Sequence, residues 1–240
     1  MAKFKQECIF GIRAVMEAIQ DEKEIDKVMF RQGIKGDLFQ QLFSLVRERQ
    51  IQFQYVPEEV FKPFAGKNHQ GVLAEISPIP YQDINTVVDT VVAEGKMPLI
   101  LILDRITDVR NLGGIAGVSA ILIPNKNSAK ISSDAIKTSA GALYHLPVCR
   151  EKNLKKTIKE LKRRGLTLFA ATEKADKFYT EVDMKEGCMI IMGAEDTGID
   201  EELLVLADQQ IKIPQYGKIE SLNVSAAAAI LVYEAVRQRR

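Results

Sequence analysis

Four short apolar runs, broken only by Ser119 and Thr167, constrain the fold of this chain most: Leu99–Leu103, Val118–Ile123, Thr167–Ala171 and Met189–Met192. A strand with one wet face alternates apolar and polar residues. A run that is apolar at every position is covered on both faces, as parallel strands are. Amphipathic helices alternate with these runs at residues 83–94, 133–143, 153–164, 200–207 and 224–238. The first carries Ile84, Val87, Val88, Val91 and Val92 on one stripe and stops at Gly95. Strand–helix alternation of this kind predicts an α/β fold with a doubly wound, mostly parallel sheet.

Residues 1–78 read as a smaller α/β unit of their own. The spacing predicts a helix over Phe10–Ile19, a strand at Ile25–Phe30, and a helix over Asp37–Arg49 with Asp37 as its cap. A half-buried strand carrying Ile51, Phe53 and Tyr55, a short helix at Pro57–Phe64 and a strand at Val72–Ile76 follow. The run Ser77-Pro78-Ile79-Pro80 breaks regular structure, because two prolines in three residues force an extended connection. The expected division is an N-terminal unit over 1–78, a linker with its amphipathic helix over 79–97, and a larger unit over 98–240.

Bulk charge does not point to a partner: 33 basic residues face 32 acidic ones, for a net charge of +1. The longest apolar runs fall far short of the roughly 18–20 residues of a bilayer span, so no membrane association is expected. Cys8, Cys149 and Cys188 are scattered, and residues 1–7 lack an apolar signal core, which together suggest a reducing cytoplasm. Arg150–Arg164 holds eight Lys or Arg residues; on a helix from Asn153 the charges of Lys155 and Lys159 face solvent. A solvated face is the plain reading of that stretch, and a phosphate-contacting surface for RNA the functional one. His69 and His145 sit apart from each other and read as structural histidines.

Ligands of open α/β sheets bind beyond the carboxyl ends of the strands, and three loops at such positions are rich in glycine and small polar groups. After Leu103 comes Asp104-Arg105-Ile106-Thr107-Asp108-Val109-Arg110-Asn111-Leu112-Gly113-Gly114. After Met192 comes Gly193-Ala194-Glu195-Asp196-Thr197-Gly198. After Ile213 come Pro214 and, further on, Ser221-Leu222-Asn223-Val224-Ser225. Taken singly, the glycines fit an ordinary strand-to-helix turn and Ser221 or Asn223 a helix cap. No P-loop, Ser-His-Asp arrangement or metal-ligand cluster accompanies them.

In order, the three loops resemble the signature motifs of the SpoU (TrmH) family of RNA ribose 2'-O-methyltransferases, within the SPOUT superfamily. The resemblance extends to Phe10-Gly11-Ile12-Arg13-Ala14-Val15 and Asn68-His69-Gln70-Gly71-Val72, similar to the family's N-terminal substrate-binding module, and is nearest the large-subunit rRNA guanosine branch. It implies a C-terminal α/β sheet tied in a deep trefoil knot, an exception to the rule that chains avoid knots, with S-adenosylmethionine as cofactor and a homodimer as the working form. A sulfonium methyl donor needs no metal. Cofactor contacts carried over from the family are Ala171, Thr172, Glu173, Gly193, Gly198, Ile213, Pro214, Leu222 and Ser225. Polar positions near the reacting centre are Asn111, Glu195, Ser221 and Asn223.

One departure bears on activity. Family members carry several further residues between the positions of Ala116 and Gly117, among them an arginine thought to assist deprotonation of the hydroxyl. Only the 14 residues Asp104–Gly117 join two apolar runs here, short for a parallel crossover, which takes a dozen or more residues and usually a helix. The connection reads as cut: a stretch the printed sequence omits, or a genuine deletion. Arg105 and Arg110 are the nearest stand-ins, as contacts to RNA. The resemblance therefore implies a 2'-O-methyltransferase of 23S rRNA. The alternatives are a tRNA methyltransferase, or a dimer that binds RNA or S-adenosylmethionine without turnover.

Overall fold

The computed structural model of the chain describes residues 8–106, 117–125, 128, 131, 136, 139, 141–215 and 222–240. Apart from residues 131–133, the chain forms two compact units, one ending at Pro80 and one from Tyr81 onwards.

The first unit is a four-stranded sheet in the order β1-β4-β2-β3. Its strands are β1 (Cys8–Phe10), β2 (Ile25–Arg31), β3 (Phe53–Val56) and β4 (Val72–Ile76). Two helices, α1 (Ile12–Gln20) and α2 (Asp37–Glu48), bury Ile12, Val15, Ile19, Phe39, Leu42 and Val46 with Val28, Phe30, Val72 and Ala74. Burying each such side chain contributes roughly 1.5–3 kcal/mol. A 3-10 helix, Glu58–Phe64, places Phe61 with Met29, Val56 and Leu73 in a second cluster.

Two expectations are corrected in this unit, and one strand is added. Gly36, at φ 123°, occupies the capping position of α2, and Asp37 is its first helical residue without a side-chain cap bond. A carboxylate in the first turn still faces the positive end of the helix dipole. Phe53 and Tyr55 are exposed, at 39% and 44%, because β3 is the edge strand. The short strand β1, which the residue pattern does not announce, pairs antiparallel with β4.

The second unit is built on a seven-stranded sheet in the order β7-β6-β5-β10-β8-β11-β9. The strands are β5 (Leu99–Leu103), β6 (Ala120–Pro124), β7 (Val148–Glu151), β8 (Thr167–Ala171), β9 (Lys177–Phe178), β10 (Cys188–Met192) and β11 (Gln209–Lys212). Every pairing in this sheet is parallel. The apolar runs behave as double-faced strands should. Ile100, Ile102, Leu122, Leu168, Ala170, Met189 and Ile191 form one core with helices α3 (Ile84–Ala93), α4 (Leu154–Arg163) and α5 (Glu201–Leu204). The alternate residues Leu99, Leu101, Leu103, Ile190 and Met192 are buried too, and the last helix, α6 (Val224–Gln238), lies against β5 and β10.

Helix α3 starts where expected, with Asp83 accepting from the Thr86 amide at 2.8 Å. It buries Ile84, Val87 and Val88 in the second unit's core, while Val92 is 55% exposed and leaves the expected stripe. The helix expected over 200–207 is helical only from Glu201 to Leu204. The one expected over 133–143 falls largely outside the described residues, whose last part is a 3-10 turn at Ala142–Tyr144. Among the described residues no helix is long and apolar enough to cross a membrane.

Candidate active site

Parallel pairing puts the carboxyl ends of β5, β8, β10 and β11 on one edge of the sheet. The chain leaves β5 for β6 on one side while β10 flanks it on the other, and this reversal is where a crevice opens in such sheets. Asp104, Gly193, Thr172 and Ile213 directly follow or lie just beyond those four strand ends.

The loop after β10 folds back on itself. The Gly198 amide donates to the Ala194 carbonyl at 2.8 Å, and Ala194 and Gly198 form an antiparallel bridge. A Cβ on Gly193 would run into the backbone of Gly198 and Ile199, so glycine at 193 is a packing requirement of the loop itself. Gly198 differs: its φ of +67° favours glycine, and nothing stands within 4 Å of where its Cβ would be. The close approach in this loop is thus between backbone and backbone at Gly193, with open space beside Gly198.

Asp104 and Arg105 lock this loop to the end of β5. Asp104 is 3% exposed, its amide donates to the Met192 carbonyl at 2.8 Å, and its Oδ2 accepts from the Asp200 amide at 2.8 Å. Arg105 donates from Nε to the same carboxylate at 3.2 Å and from Nη2 to the Gly198 carbonyl at 3.2 Å. Its Nη1 lies 3.9 Å from Asp200 Oδ2. Arg105 holds φ 56°, an uncommon conformation for a side chain of its size. Sequence reasoning offered Arg105 as an RNA contact and assigned no task to Asp104 or Asp200. The available signal was a carboxylate placed directly after a wholly apolar strand, a position that buries it and demands partners.

Glu195 and Asn223, from loops 28 residues apart, meet: Asn223 Nδ2 donates to Glu195 Oε1 at 3.5 Å. Asn223 Oδ1 also accepts from the Ser225 amide at 3.0 Å and so caps α6. The cap and the polar contact are one residue with two tasks. Capping turns the amide group of Asn223 toward the glutamate and fixes it on a 15-residue helix. The other end of α6 is tied to the opposite edge of the sheet. Arg239 donates to the carbonyls of Met97 at 2.7 Å, Pro98 at 3.3 Å, Met184 at 2.9 Å and Glu186 at 2.6 Å. Helix α6 therefore runs antiparallel to β5 and β10 along their whole length.

The remaining candidates divide. Ala171, Thr172 and Glu173 stand at the end of β8, where the Thr172 amide donates to the Ile211 carbonyl at 3.0 Å; Ile213 and Pro214 follow the adjacent β11, and Leu222 and Ser225 flank Asn223. Asn111, Arg110 and Ser221 lie outside the described residues. Lys155, expected on an RNA-facing surface, pairs with Glu202 at 3.0 Å. On the same helix Lys156 pairs with Glu160 at 3.6 Å, Lys162 with Asp208 at 2.8 Å, and the following Arg164 with Asp89. Lys159 is exposed and makes no ion pair among the described residues. His69 stacks on Phe61 at 4.8 Å and accepts from the Gly71 amide at 3.0 Å, a structural placement.

Comparison with known proteins decides the family. Residues 98–233 match the SpoU rRNA Methylase family and residues 8–82 the RNA 2'-O ribose methyltransferase substrate binding family. The chain belongs to the SpoU (TrmH) family of RNA methyltransferases. A Bacillus subtilis protein assigned to the TrmH family of tRNA/rRNA methyltransferases, YacO, is 31% identical over 238 residues, covering 96% of this chain and 95% of its own length. Among solved structures, the SpoU methyltransferase AviRb of Streptomyces viridochromogenes in complex with AdoMet shares the fold at a TM-score of 0.60 and 20% identity, over 98% of this chain and 91% of that one. The TrmH/SpoU tRNA modifying enzyme of A. aeolicus is 29% identical with a TM-score of 0.54, over 60% of this chain and 76% of that one. The SpoU match spans the seven-stranded sheet and the loops of the candidate site, and the substrate-binding match spans the four-stranded unit.

Proposed function

We propose that this SpoU-family chain transfers a methyl group from S-adenosylmethionine to a ribose 2'-hydroxyl of structured RNA, a guanosine of 23S rRNA, as a homodimer with its C-terminal sheet tied in a trefoil knot. The observation that carries the reading is the Glu195–Asn223 pair at the carboxyl edge of the sheet, beside the locked Gly193–Asp200 loop. Both family descriptions and the AdoMet complex of AviRb support it.

The residues present fit the cofactor. Small side chains and backbone groups at Ala171, Thr172, Gly193, Gly198, Ile213, Pro214, Leu222 and Ser225 suit an adenosine, whose ring nitrogens and hydroxyls pair with amides and carbonyls. The exposed carboxylates of Glu173 and Glu195 suit its cationic end. When bound, the cofactor supplies an activated methyl on a sulfonium. The chain's own work is alignment and proton management. Asn223 holds Glu195 by its amide, and Glu195 orients the hydroxyl and accepts hydrogen bonding from it. A carboxylate is a weak base, so the hydroxyl passes its proton to the Glu195 carboxylate late, as the methyl transfers. Asn111 and Ser221 add polar contacts to the ribose. Arg110 and the exposed Lys159 contact phosphates, whereas Arg105 and Lys155 are engaged by Asp104 and Gly198 and by Glu202.

Purified protein with radiolabelled S-adenosylmethionine and a 23S rRNA transcript tests this: label is expected in RNA, at one position resistant to alkaline cleavage. Glu195→Ala and Asn223→Ala should lower the rate at least tenfold with the fold intact, and wild-type rates in both would overturn the site. Label appearing only in tRNA transcripts would transfer the activity to tRNA. The shortened stretch Asp104–Gly117 favours a second reading, a dimer that binds without turnover. An intact mass of 26.8 kDa with RNA binding and no transfer would establish it, whereas a heavier protein with an arginine between Ala116 and Gly117 would restore the complete first motif.

A further inference from the structure

Among the described residues each sheet has two edges, and all but one are shielded in the ways that keep an edge from pairing with another chain. In the seven-stranded sheet, β7 is covered by a parallel bridge between Gln82 and Cys149, and the Arg150 guanidinium lies 3.9 Å from the centre of the Tyr81 ring. The opposite edge, β9, is two residues long and carries an exposed lysine, Lys177. In the four-stranded sheet, β1 is three residues long and half-buried throughout. Strand β3 has none of these protections. The stretch Gln50-Ile51-Gln52-Phe53-Gln54-Tyr55-Val56 carries neither a charge nor a proline.

The core of the first unit also runs out at β3. Phe30 is fully buried, with ring centres of Phe39 at 5.3 Å, Phe43 at 6.0 Å, Phe53 at 6.0 Å and Tyr55 at 5.8 Å. Phe43 and Phe53 meet edge to face at 5.2 Å. Burial falls from Phe30 and Phe39 through half-buried Phe43 to exposed Phe53 and Tyr55, so the aromatic layer ends at an open side. The backbone is set for pairing there. The Gln52 carbonyl accepts from the Val28 amide at 2.8 Å and the Val56 carbonyl from the Gln32 amide at 2.9 Å, which turns these residues toward β2. Backbone groups alternate in direction along a strand, so the amides and carbonyls of Phe53 and Tyr55 point away from β2.

We infer that β3 pairs antiparallel with β3 of a second copy of this chain, about a two-fold axis at Gln54, and joins two N-terminal sheets into one. In this register Phe53 of each copy lies opposite Tyr55 of the other, and the outward amides and carbonyls of those residues bond reciprocally. Gln54 meets its own counterpart on the opposite face, where Lys27 Nζ donates to Gln54 Oε1 at 2.9 Å. A two-fold contact requires a surface complementary to itself. An uncharged strand meets that requirement: no like charges come together, and each aromatic finds an aromatic, a stabilising cross-strand pair. A phosphate polymer, by contrast, finds no cation on the strand. The contact rests on the proposed two-copy assembly, adds to it a surface in the first unit, and uses no residue of the candidate active site.

Disulfide capture in the full chain tests it. Directly opposite Cα atoms that share no backbone bonds lie about 4.5 Å apart, within the roughly 4.4–6.8 Å that a disulfide spans. Under mild oxidation Gln54→Cys is expected to form a linked dimer on a non-reducing gel at least tenfold faster than Lys23→Cys, in the exposed turn after α1. Adding Phe53→Lys and Tyr55→Lys to Gln54→Cys should slow capture at least tenfold, because like charges then face each other. Should the paired lysines disturb the unit's melting, Tyr55→Lys alone carries the test, with a smaller slowing. Equal capture at positions 54 and 23, or capture indifferent to the lysines in a chain that melts like wild type, would overturn the inference. Sedimentation separates it from the homodimer reading. A wild-type mass of twice 26.8 kDa without preferential capture at position 54 removes this contact and leaves that reading standing, whereas a monomer at every concentration removes both. A Phe53→Ala, Tyr55→Ala variant that loses RNA affinity while capture is unchanged would give the face to RNA instead.

Discussion

Replacing Gly193 by alanine tests the most specific geometric claim about the loop after β10. The new methyl would overlap the Gly198 carbonyl carbon and oxygen and the Ile199 nitrogen. Ordinary contact needs about 3.5–4.0 Å between carbon centres, so residues 198–199 must retreat by more than roughly 1 Å. That movement breaks the 2.8 Å Gly198–Ala194 bond and the 3.2 Å bond from Arg105, and strains the 2.8 Å bond from the Asp200 amide to Asp104. One neutral bond contributes about 0.5–1.5 kcal/mol and one to a charged group about 1.5–3 kcal/mol. Losing one of each amounts to about 2–4 kcal/mol, reduced by whatever the relaxed loop regains in water. The sheet core does not depend on the loop, so the loss is local. At about 2–4 °C per kcal/mol for a chain of this size, the melting temperature should fall by no more than about 16 °C. S-adenosylmethionine affinity should fall at least 30-fold, because its cradle is displaced. Calorimetric titration and a thermal melt on the same sample check both numbers. Wild-type affinity with an unchanged melt would refute the overlap and the cradle together.

Other consequences follow from the same contacts. Arg105→Ala removes the clamp between the β5 end and Gly198 and leaves the buried Asp104 carboxylate with the Asp200 amide, so cofactor affinity should drop several-fold with a smaller change in melting; equal affinity in calorimetry would refute the clamp. Arg239→Ala strips the carbonyls of Met97, Pro98, Met184 and Glu186 of a shared donor and should cost about 2–4 kcal/mol in denaturant unfolding, a loss below 0.5 kcal/mol contradicting it. Burial pushes the thiols of Cys149 and Cys188 up from 9.0 to about 12 and about 11. The folded chain therefore holds protons that the unfolded chain releases, and stability should be level below pH 9 and fall as pH rises above it. A Cys149→Ala, Cys188→Ala double variant should lose most of that slope in unfolding midpoints between pH 8 and 10.5; an unchanged slope would refute the assignment. Glu234 is the opposite case: its bond from Arg237 holds the carboxyl below 4.5, so its contribution is present above that pH and fades below it. The acid limb of unfolding should flatten in Glu234→Gln.

The apolar runs made the second unit's architecture legible, because a strand without a polar face has few ways to be covered. Helix α6 was readable to the residue, since its limits are set by Asn223, a good cap, and by the end of its apolar stripe. The edge strand β3 misled for the same reason in reverse: alternation records which residues share a face, not whether a neighbouring strand covers that face. The two-residue strand β9 is too short to leave any period.

The sequence by itself determined the alternation of strand and helix, the glycines and small residues beyond the strand ends, and the family motifs, because each is local or periodic along the chain. Only the tertiary structure decided which charges are compensated and which backbone groups collide. The pairing of Lys155 with Glu202, the clamp of Arg105 on Gly198, and the meeting of Glu195 with Asn223 join residues 47, 93 and 28 positions apart. Distances across such separations are fixed by packing of the core, which no window of sequence contains.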